Sequence, residues 1–459
     1  MSDINHAGSD LIFELEDRPP FHQALVGAIT HLLAIFVPMV TPALIVGAAL
    51  QLSAETTAYL VSMAMIASGI GTWLQVNRYG IVGSGLLSIQ SVNFSFVTVM
   101  IALGSSMKSD GFHEELIMSS LLGVSFVGAF LVVGSSFILP YLRRVITPTV
   151  SGIVVLMIGL SLIKVGIIDF GGGFAAKSSG TFGNYEHLGV GLLVLIVVIG
   201  FNCCRSPLLR MGGIAIGLCV GYIASLCLGM VDFSPLADAA WFALPKFMPV
   251  MPTFDLQAII AMCILFVATA VETVGNISGI TNGAFDRGPT PEEMRGGVVA
   301  DSVGSLCGSF FGVLPVTTFA QNVGLVEVSR IVNRFVILTG VIFLLLCGFC
   351  PKISVLFSIM PQSVLGGAAV IMFSMIVVSG IQALAREKMD ERTGLIIALS
   401  LGLGVGIGNI PEVLAQLPEW VNMIFAQNSI IMTFVVATVL NLILPKKKAP
   451  EPAAKQDQA

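Results

Sequence analysis

Charge is scarce in this chain. Asp, Glu, Lys and Arg make up 11% of its 459 residues, against about 25% in an ordinary soluble domain. Apolar runs of about 20 residues, the length that crosses a hydrocarbon core as a helix, follow one another from Ala24 to Pro445. No room is left for a separate soluble domain, and nothing supports a nucleic-acid partner. The opening MSDINHAGSDLIFELEDRPP lacks the basic start and short apolar core of a cleavable leader, so the first span is expected to be retained. The eight Cys lie in or beside apolar segments and form no cluster with His, so they are read as reduced packing residues and not as metal ligands. No Ser/His, metal or nucleotide motif points to an enzyme. No repeated filter sequence or ring of like side chains points to a channel.

Hydrophobic runs are abundant. With Gly, Pro and charge clusters as punctuation, fourteen spans are expected, centred near residues 37, 66, 93, 127, 158, 196, 221, 268, 304, 321, 341, 372, 401 and 437. Short cytoplasmic loops favour Lys and Arg, which tests the count. If both ends are cytoplasmic, seventeen of the 22 Lys and Arg fall inside, and only Lys108, Lys164, Lys177, Lys246 and Lys352 fall outside. Losing one span would flip every later loop and scramble that bias.

The halves resemble each other. VSGIVVLMIGLS (150–161) and LGGAAVIMFSMI (365–376) each follow a proline, and Gly152 and Met157 align with Gly367 and Met372. Seven spans separate the copies, so they must run in opposite directions. That is the mark of the inverted-repeat transporters, whose ligand site lies near the midplane where helices are broken.

Polarity concentrates in two interrupted spans that are also seven apart. Span three reads GIVGSGLLSIQSVNFSF (80–96) and span ten LPVTTFAQNVGLVEVSR (314–330). Pro315 and the β-branched run Val316, Thr317, Thr318 disfavour a helix, so span ten is predicted to enter extended and to become helical from about Asn322. Backbone of that kind inside a bilayer must be satisfied by protein or by a wet cavity. The two segments can satisfy each other as short strands, which presents two half-helix N-termini to electron-rich ligand groups.

Acidic residues mark the same region. Glu272 lies deep in span eight, where a carboxylate costs about 2.5–3.5 kcal/mol and is usually functional. Asp301 is placed at the opening of span nine, nearer an interface. His31, one-third into span one, can carry a proton or simply bond across helices. Glu327 is expected to pair with Arg330, and Pro38 and Pro42 to kink span one. Phe94 and Phe319 can stack on a flat ligand or serve as packing.

QNVGLVEVSR (321–330) closely resembles the signature of the nucleobase/ascorbate transporter family: Gln, Glu or Pro, then Asn, any residue, Gly, four of any kind, Thr, and Arg, Lys or Gly. Ser329 replaces the Thr. The resemblance runs over essentially the whole chain, through ELEDRPP, ITHLLAIFVPMVTPAL, VETVG and VLGGA, and in the first half is strongest to bacterial members that carry xanthine.

The resemblance implies an all-α polytopic membrane protein with fourteen segments as a 7+7 inverted repeat and short antiparallel strands in segments 3 and 10. Core segments would occupy 24–140 and 256–350 and gate segments 146–232 and 361–445, between cytoplasmic tails at 1–23 and 446–459. It further implies proton-coupled uptake of xanthine or a related purine across a bacterial cytoplasmic membrane by a homodimer, with no cofactor beyond the proton gradient. Carried onto this chain, Glu272 and Gln321 would hold the ring, Asn93, Phe94 and Asn322 would shape the pocket, and Glu272, Asp301 and His31 would serve proton coupling. Purine-type members usually follow the span-eight Glu with Gly-Asp; here it is Gly275-Asn276. A same-fold carrier of urate, another nucleobase or a small anion is the alternative. The absence of Lys and Arg from the pocket segments weighs against the anion.

Overall fold

The computed structural model describes residues 14–136, 147–206, 209, 210, 212–329, 331–418, 421–426 and 428–445. The Arg143–Arg144 turn, the Glu327–Arg330 side-chain pair and the tail from residue 446 lie outside the described residues. Helices α1 (Phe21–Ala49) and α2 (Ala54–Asn77) precede strand β1 (Gln90–Val92), α3 (Phe94–Ser109) and α4 (Glu114–Ser136). Then come α5 (Pro148–Phe170), α6 (Tyr185–Asn202), α7 (Gly213–Cys227), α8 (Leu256–Phe285) and α9 (Pro291–Phe310). Strand β2 (Val316–Thr318) leads into α10 (Gln321–Ser329), α11 (Arg334–Gly348), α12 (Gln362–Ala385), α13 (Glu391–Asn409) and α14 (Ser429–Ile443). Each of the fourteen expected centres falls in, or at the start of, one of these helices. Among the described residues, α2, α4, α5, α6, α8, α12 and α13 are each long and apolar enough to span a bilayer unaided.

Helix starts follow local chemistry. Side-chain oxygens of Ser53, Thr147, Asn184, Asp255, Asn333 and Asp390 each accept from a backbone amide in the first turn of the helix they open, satisfying donors that have no intrahelical partner. At α9, Thr290 and Glu293 form a reciprocal capping box with Pro291 at the first position. That cap corrects one expectation. Asp301 is expected at the opening of span nine, nearer an interface; the cap instead starts the helix ten residues before Asp301, which is therefore buried at mid-helix.

The helices pack as two groups. One gathers α1 to α4 with α8 to α11, and the other gathers α5 to α7 with α12 to α14; α8, α3 and α1 touch the second group along the seam. The closest helix pair is α5 against α12, the two copies of the internal repeat, and it is antiparallel. Gly152 of α5 lies against Leu384 of α12, Gly159 against Phe373 and Val377, and Gly166 against Val370 and Phe373. Opposite running of the repeat copies is thus an observed feature of the fold.

Glycines set the spacing of that pair. A Cβ built at Gly380 would stand 2.5 Å from the Leu156 amide nitrogen, and one at Gly159 2.7 Å from that of Val377; neither backbone can yield. Gly380→Val is expected to lower stability by at least about 1–3 kcal/mol, read as a lower melting temperature of the detergent-solubilised protein. Gly402→Ala, where nothing stands within 4 Å of a new Cβ, provides the control and should leave the melting temperature unchanged or slightly raised.

Candidate functional site

The two interrupted spans meet in the first helix group. β1 and β2 pair antiparallel with Gln90 opposite Thr318, Ser91 opposite Thr317 and Val92 opposite Val316. The ladder extends at both ends, where the Asn93 amide donates to the Pro315 carbonyl (3.1 Å) and the Phe319 amide to the Ile89 carbonyl (2.9 Å). A two-stranded ribbon has two outer edges whose backbone groups also need partners in a dry interior. Neighbouring helices supply them. Thr72 Oγ1 of α2 accepts from the Gln90 amide (2.9 Å). Ser305 Oγ of α9 accepts from the Val316 amide (3.0 Å) and donates to its carbonyl (2.6 Å). Asn276 Nδ2 of α8 donates to the Thr318 carbonyl (3.3 Å).

That last bond gives Asn276 a physical role. Only a side chain with a donor can serve the Thr318 carbonyl, which an ionised Asp cannot do. The departure from the family's Gly-Asp therefore places an amide, one turn beyond Glu272, in support of β2.

Each strand runs directly into a half-helix. Asn93 caps α3, its Oδ1 accepting from the Ser95 amide (2.7 Å), and Gln321 is the first residue of α10. The predicted start near Asn322 was right to one residue. Asn322 is fully buried and its Nδ2 donates to the Leu87 carbonyl (2.7 Å), tying the start of α10 to the chain that enters β1. At the far end of that entry, Arg334 Nε and Nη2 donate to the Gly85 carbonyl (3.0 and 2.6 Å) while Nη1 pairs with Glu16 (2.5 Å). Gly83 and Gly85 hold φ of +97° and +76°, which side chains rarely tolerate. At Gly83 a Cβ would also strike the α2 backbone.

Glu272 lies in the middle of α8, roughly 24 Å of helix rise from Leu256 and roughly 20 Å from Phe285. It is 7% exposed. Its Oε2 accepts from Asn93 Nδ2 (3.2 Å) and from Ser95 Oγ (3.3 Å), so the start of α3 orients it. Asn93 Nδ2 also donates to Thr317 Oγ1 (2.5 Å), linking the carboxylate to β2. One residue along, Thr318 Oγ1 donates to Asp301 (3.0 Å), which also accepts from Gln90 Nε2 and Thr273 Oγ1. The two acids are therefore joined through Thr317 and Thr318 rather than directly bonded.

Other predicted site residues lie on elements that pack around the strand crossing. Gln321 makes no hydrogen bond to Glu272, although α10 packs on α8. Its Nε2 is buried and meets no acceptor among the described residues. His31 is buried on α1, which packs against β1, α3 and α10, but the bonds to Glu272 and Asp301 come from other residues. Phe94 is buried edge-on to Phe373 of α12, with centroids 5.3 Å apart, so its ring bridges the seam between the helix groups. Phe319 is buried in the main core.

Thr72, Thr273 and Ser305 were not foreseen. Each is a small hydroxyl in an otherwise ordinary span, and only their neighbours hinted at them: Gln75 one turn from Thr72, Glu272 beside Thr273, and Asp301 one turn before Ser305. Among the described residues no group of His, Cys, Asp and Glu is arranged to hold a metal ion.

Comparison with known proteins agrees with this geometry. A family described as "Permease family" matches residues 22–413. The chain is 67% identical to the xanthine permease XanQ of Escherichia coli, over 97% of this chain and 96% of that protein. It is 36% identical to XanP, a xanthine permease of the same organism, over 96% of each. It is 34% identical to the nucleobase transporter PlUacP of Paenibacillus larvae, over 92% of this chain and 95% of that protein. Among solved structures it is similar to the transmembrane domain of BicA, a cyanobacterium bicarbonate transporter, with a TM-score of 0.57 and 16% identity over 94% of this chain and 100% of that one. SLC26A9 matches with a TM-score of 0.56 and 12% identity, over 92% and 64%. These likenesses show a shared 7+7 fold. With two interrupted spans paired as strands beside a buried carboxylate, and with the signature 321–330 at their junction, this multi-pass membrane protein belongs to the permease family of nucleobase/ascorbate transporters.

Proposed function

We propose that the protein carries xanthine, or a closely related purine base, into the cell together with protons across a bacterial cytoplasmic membrane. The observation that carries this reading is the disposition of Glu272 and Gln321. Asn93 and Ser95 both bond Oε2 of Glu272, and no described residue donates to Oε1; α10 brings a Gln with an unused donor to the same strand crossing. A purine dione offers adjacent N–H and C=O edges. Glu272 Oε1 accepts an N–H, and the Gln321 amide matches one donor and one acceptor. A ring with the wrong edge leaves these buried groups unpaired, which supplies selectivity.

The same carboxylate is the proton carrier in this reading. Glu272 is buried with no Lys or Arg bonded to it among the described residues, so a proton relieves its charge when the site faces the low-dielectric seam. Asp301 has three side-chain donors around it and acts as the brace that holds β1, β2 and α8 together. His31, on α1, which packs against β1, α3 and α10, completes the proton route. The first helix group serves as core and the second as gate; rocking of one past the other exposes a fixed site alternately to the two sides. Both ends are cytoplasmic by the Lys and Arg bias, and a homodimer through the gate follows the family. The anion-transporter relatives share the fold, but the charged groups at the strand crossing here are acidic, which suits a ring donor and not an anion.

Uptake of labelled xanthine is expected to be concentrative, to collapse when an uncoupler dissipates the proton gradient, and to be competed by purine diones but not by uracil. Xanthine equilibration that ignores the uncoupler would remove proton coupling. Competition by uracil alone would remove the purine assignment.

A further inference from the structure

Between α3 of the first group and α5, α13 and α14 of the second lies a cavity of about 440 Å³, a volume that suits a small ligand. It sits on the side of the strand crossing that carries Lys108 and Lys164, the side assigned outward above. Thr98 lines it from α3, only about 7 Å of helix rise beyond Asn93, and Ser161 and Lys164 line it from one face of α5.

Two of these three side chains carry hydroxyls with no partner among the described residues, as do Ser68, Ser363, Ser400, Thr433 and Thr438. Hydroxyls inside this protein's helices normally settle on the carbonyl four residues back, as Ser125, Ser225, Ser278, Ser302 and Ser374 do. That habit satisfies a hydroxyl in an apolar setting. Thr98 Oγ1 and Ser161 Oγ are buried and have no partner among the described residues, although the same backbone carbonyls are within their sequence reach. Lys164, one turn beyond Ser161, forms no ion pair among the described residues. Two residues with unused hydroxyls and an exposed lysine thus line one cavity across the seam that must open.

We propose that Thr98, Ser161 and Lys164 form an outer capture subsite, where a planar, weakly acidic purine dione is held before it reaches Glu272. The hydroxyls bond the ring's N–H and C=O edges, and the ammonium donates to a ring C=O, its positive potential drawing the ring's electron-rich edge into a cleft with apolar walls. The walls are aliphatic, from Ile101, Met157 and Val405 among others, so the ring faces are also accommodated. Because Thr98 belongs to the core and Ser161 and Lys164 to the gate, displacement of one group against the other separates the three and releases the ring inward. The subsite rests on the purine reading above and adds a first stop to it.

The test is labelled-xanthine uptake by right-side-out membrane vesicles, with initial rates resolved into KM and kcat and protein quantified by immunoblot. Lys164→Gln should raise KM on the order of tenfold with kcat unchanged, and Lys164→Arg should restore it. Thr98→Val, which keeps the shape, should raise KM severalfold. Raising the ionic strength should move the wild-type KM toward that of Lys164→Gln, because screening acts on the charge. If wild-type vesicles take up xanthine while Lys164→Gln and Thr98→Val keep the wild-type KM, or lose only kcat, the subsite is overturned and the purine reading stands. Failure of wild-type vesicles to take up any purine would overturn both.

Discussion

Glu272→Gln should lower kcat/KM for xanthine uptake at least about a hundredfold, or about 2.8 kcal/mol, with the amount of protein in the membrane unchanged. Gln has nearly the shape of Glu, and Asn93 Nδ2 and Ser95 Oγ, the two donors that meet Oε2, can still bond its amide oxygen. The fold therefore has little reason to change. What disappears is the charge and the second acceptor. In place of Oε1 the site presents an amide N–H to a ring N–H, two donors facing each other. A hydrogen bond to a charged group contributes about 1.5–3 kcal/mol, and a buried donor left unpaired costs about 1–3 kcal/mol more. The proton carrier is lost with the same substitution. Initial rates in energised cells, normalised to membrane protein, measure the effect. Uptake within a few fold of wild type would remove Glu272 from the centre of the mechanism.

Gln321→Ala should cost transport without costing stability. The Gln321 amide is the first side chain of α10 and its Nε2 meets no acceptor among the described residues. The fold carries that unpaired donor as a burden of about 1–3 kcal/mol, and truncation removes the burden. The melting temperature should stay level or rise, whereas kcat/KM for xanthine should fall on the order of a hundredfold as the two-point match to the ring edge is lost. Functional groups held at the expense of stability behave this way. A residue that served only packing would show the opposite pattern, a lower melting temperature with uptake falling in proportion to the protein lost. Asn322, whose amide is bonded to the Leu87 carbonyl (2.7 Å), makes the contrast one residue away: its loss frees the entry to β1 and should lower the melting temperature as well.

Much of the fold was legible because a bilayer imposes a length on each segment. Runs of apolar residues mark the fourteen spans, and the Lys and Arg bias fixes their register. Pro315 with Val316, Thr317 and Thr318 announces that span ten cannot enter as a helix, and the Gly80, Gly83 and Gly85 cluster says the same of span three. Glu272 was visible as an acid in a run of oil. Asp301 was expected at the opening of its span, and the helix instead begins ten residues earlier, at Pro291. In the structure the Thr290 cap and the packing of Gly296 on Gly83 and of Gly297 on Ile277 carry the polar residues 291–297 into the bundle. Polarity in a membrane helix reports either water or a protein neighbour, and the linear sequence does not distinguish them.

By itself the sequence determined the number of crossings, the two places where crossing helices must break, and the presence of an acid and two amides near those breaks. Hydropathy and backbone preference are local properties, carried by residues adjacent in the chain, so they can be read along it. Only the tertiary structure decided that Gln90 lies opposite Thr318, that Thr72, Ser305 and Asn276 satisfy the ribbon's edges, and that Asn93 and Ser95 bond the same oxygen of Glu272. Those pairings join residues from separate spans, and their choice depends on which donors and acceptors remain unpaired once helices have packed, a condition of the whole bundle that no single segment contains.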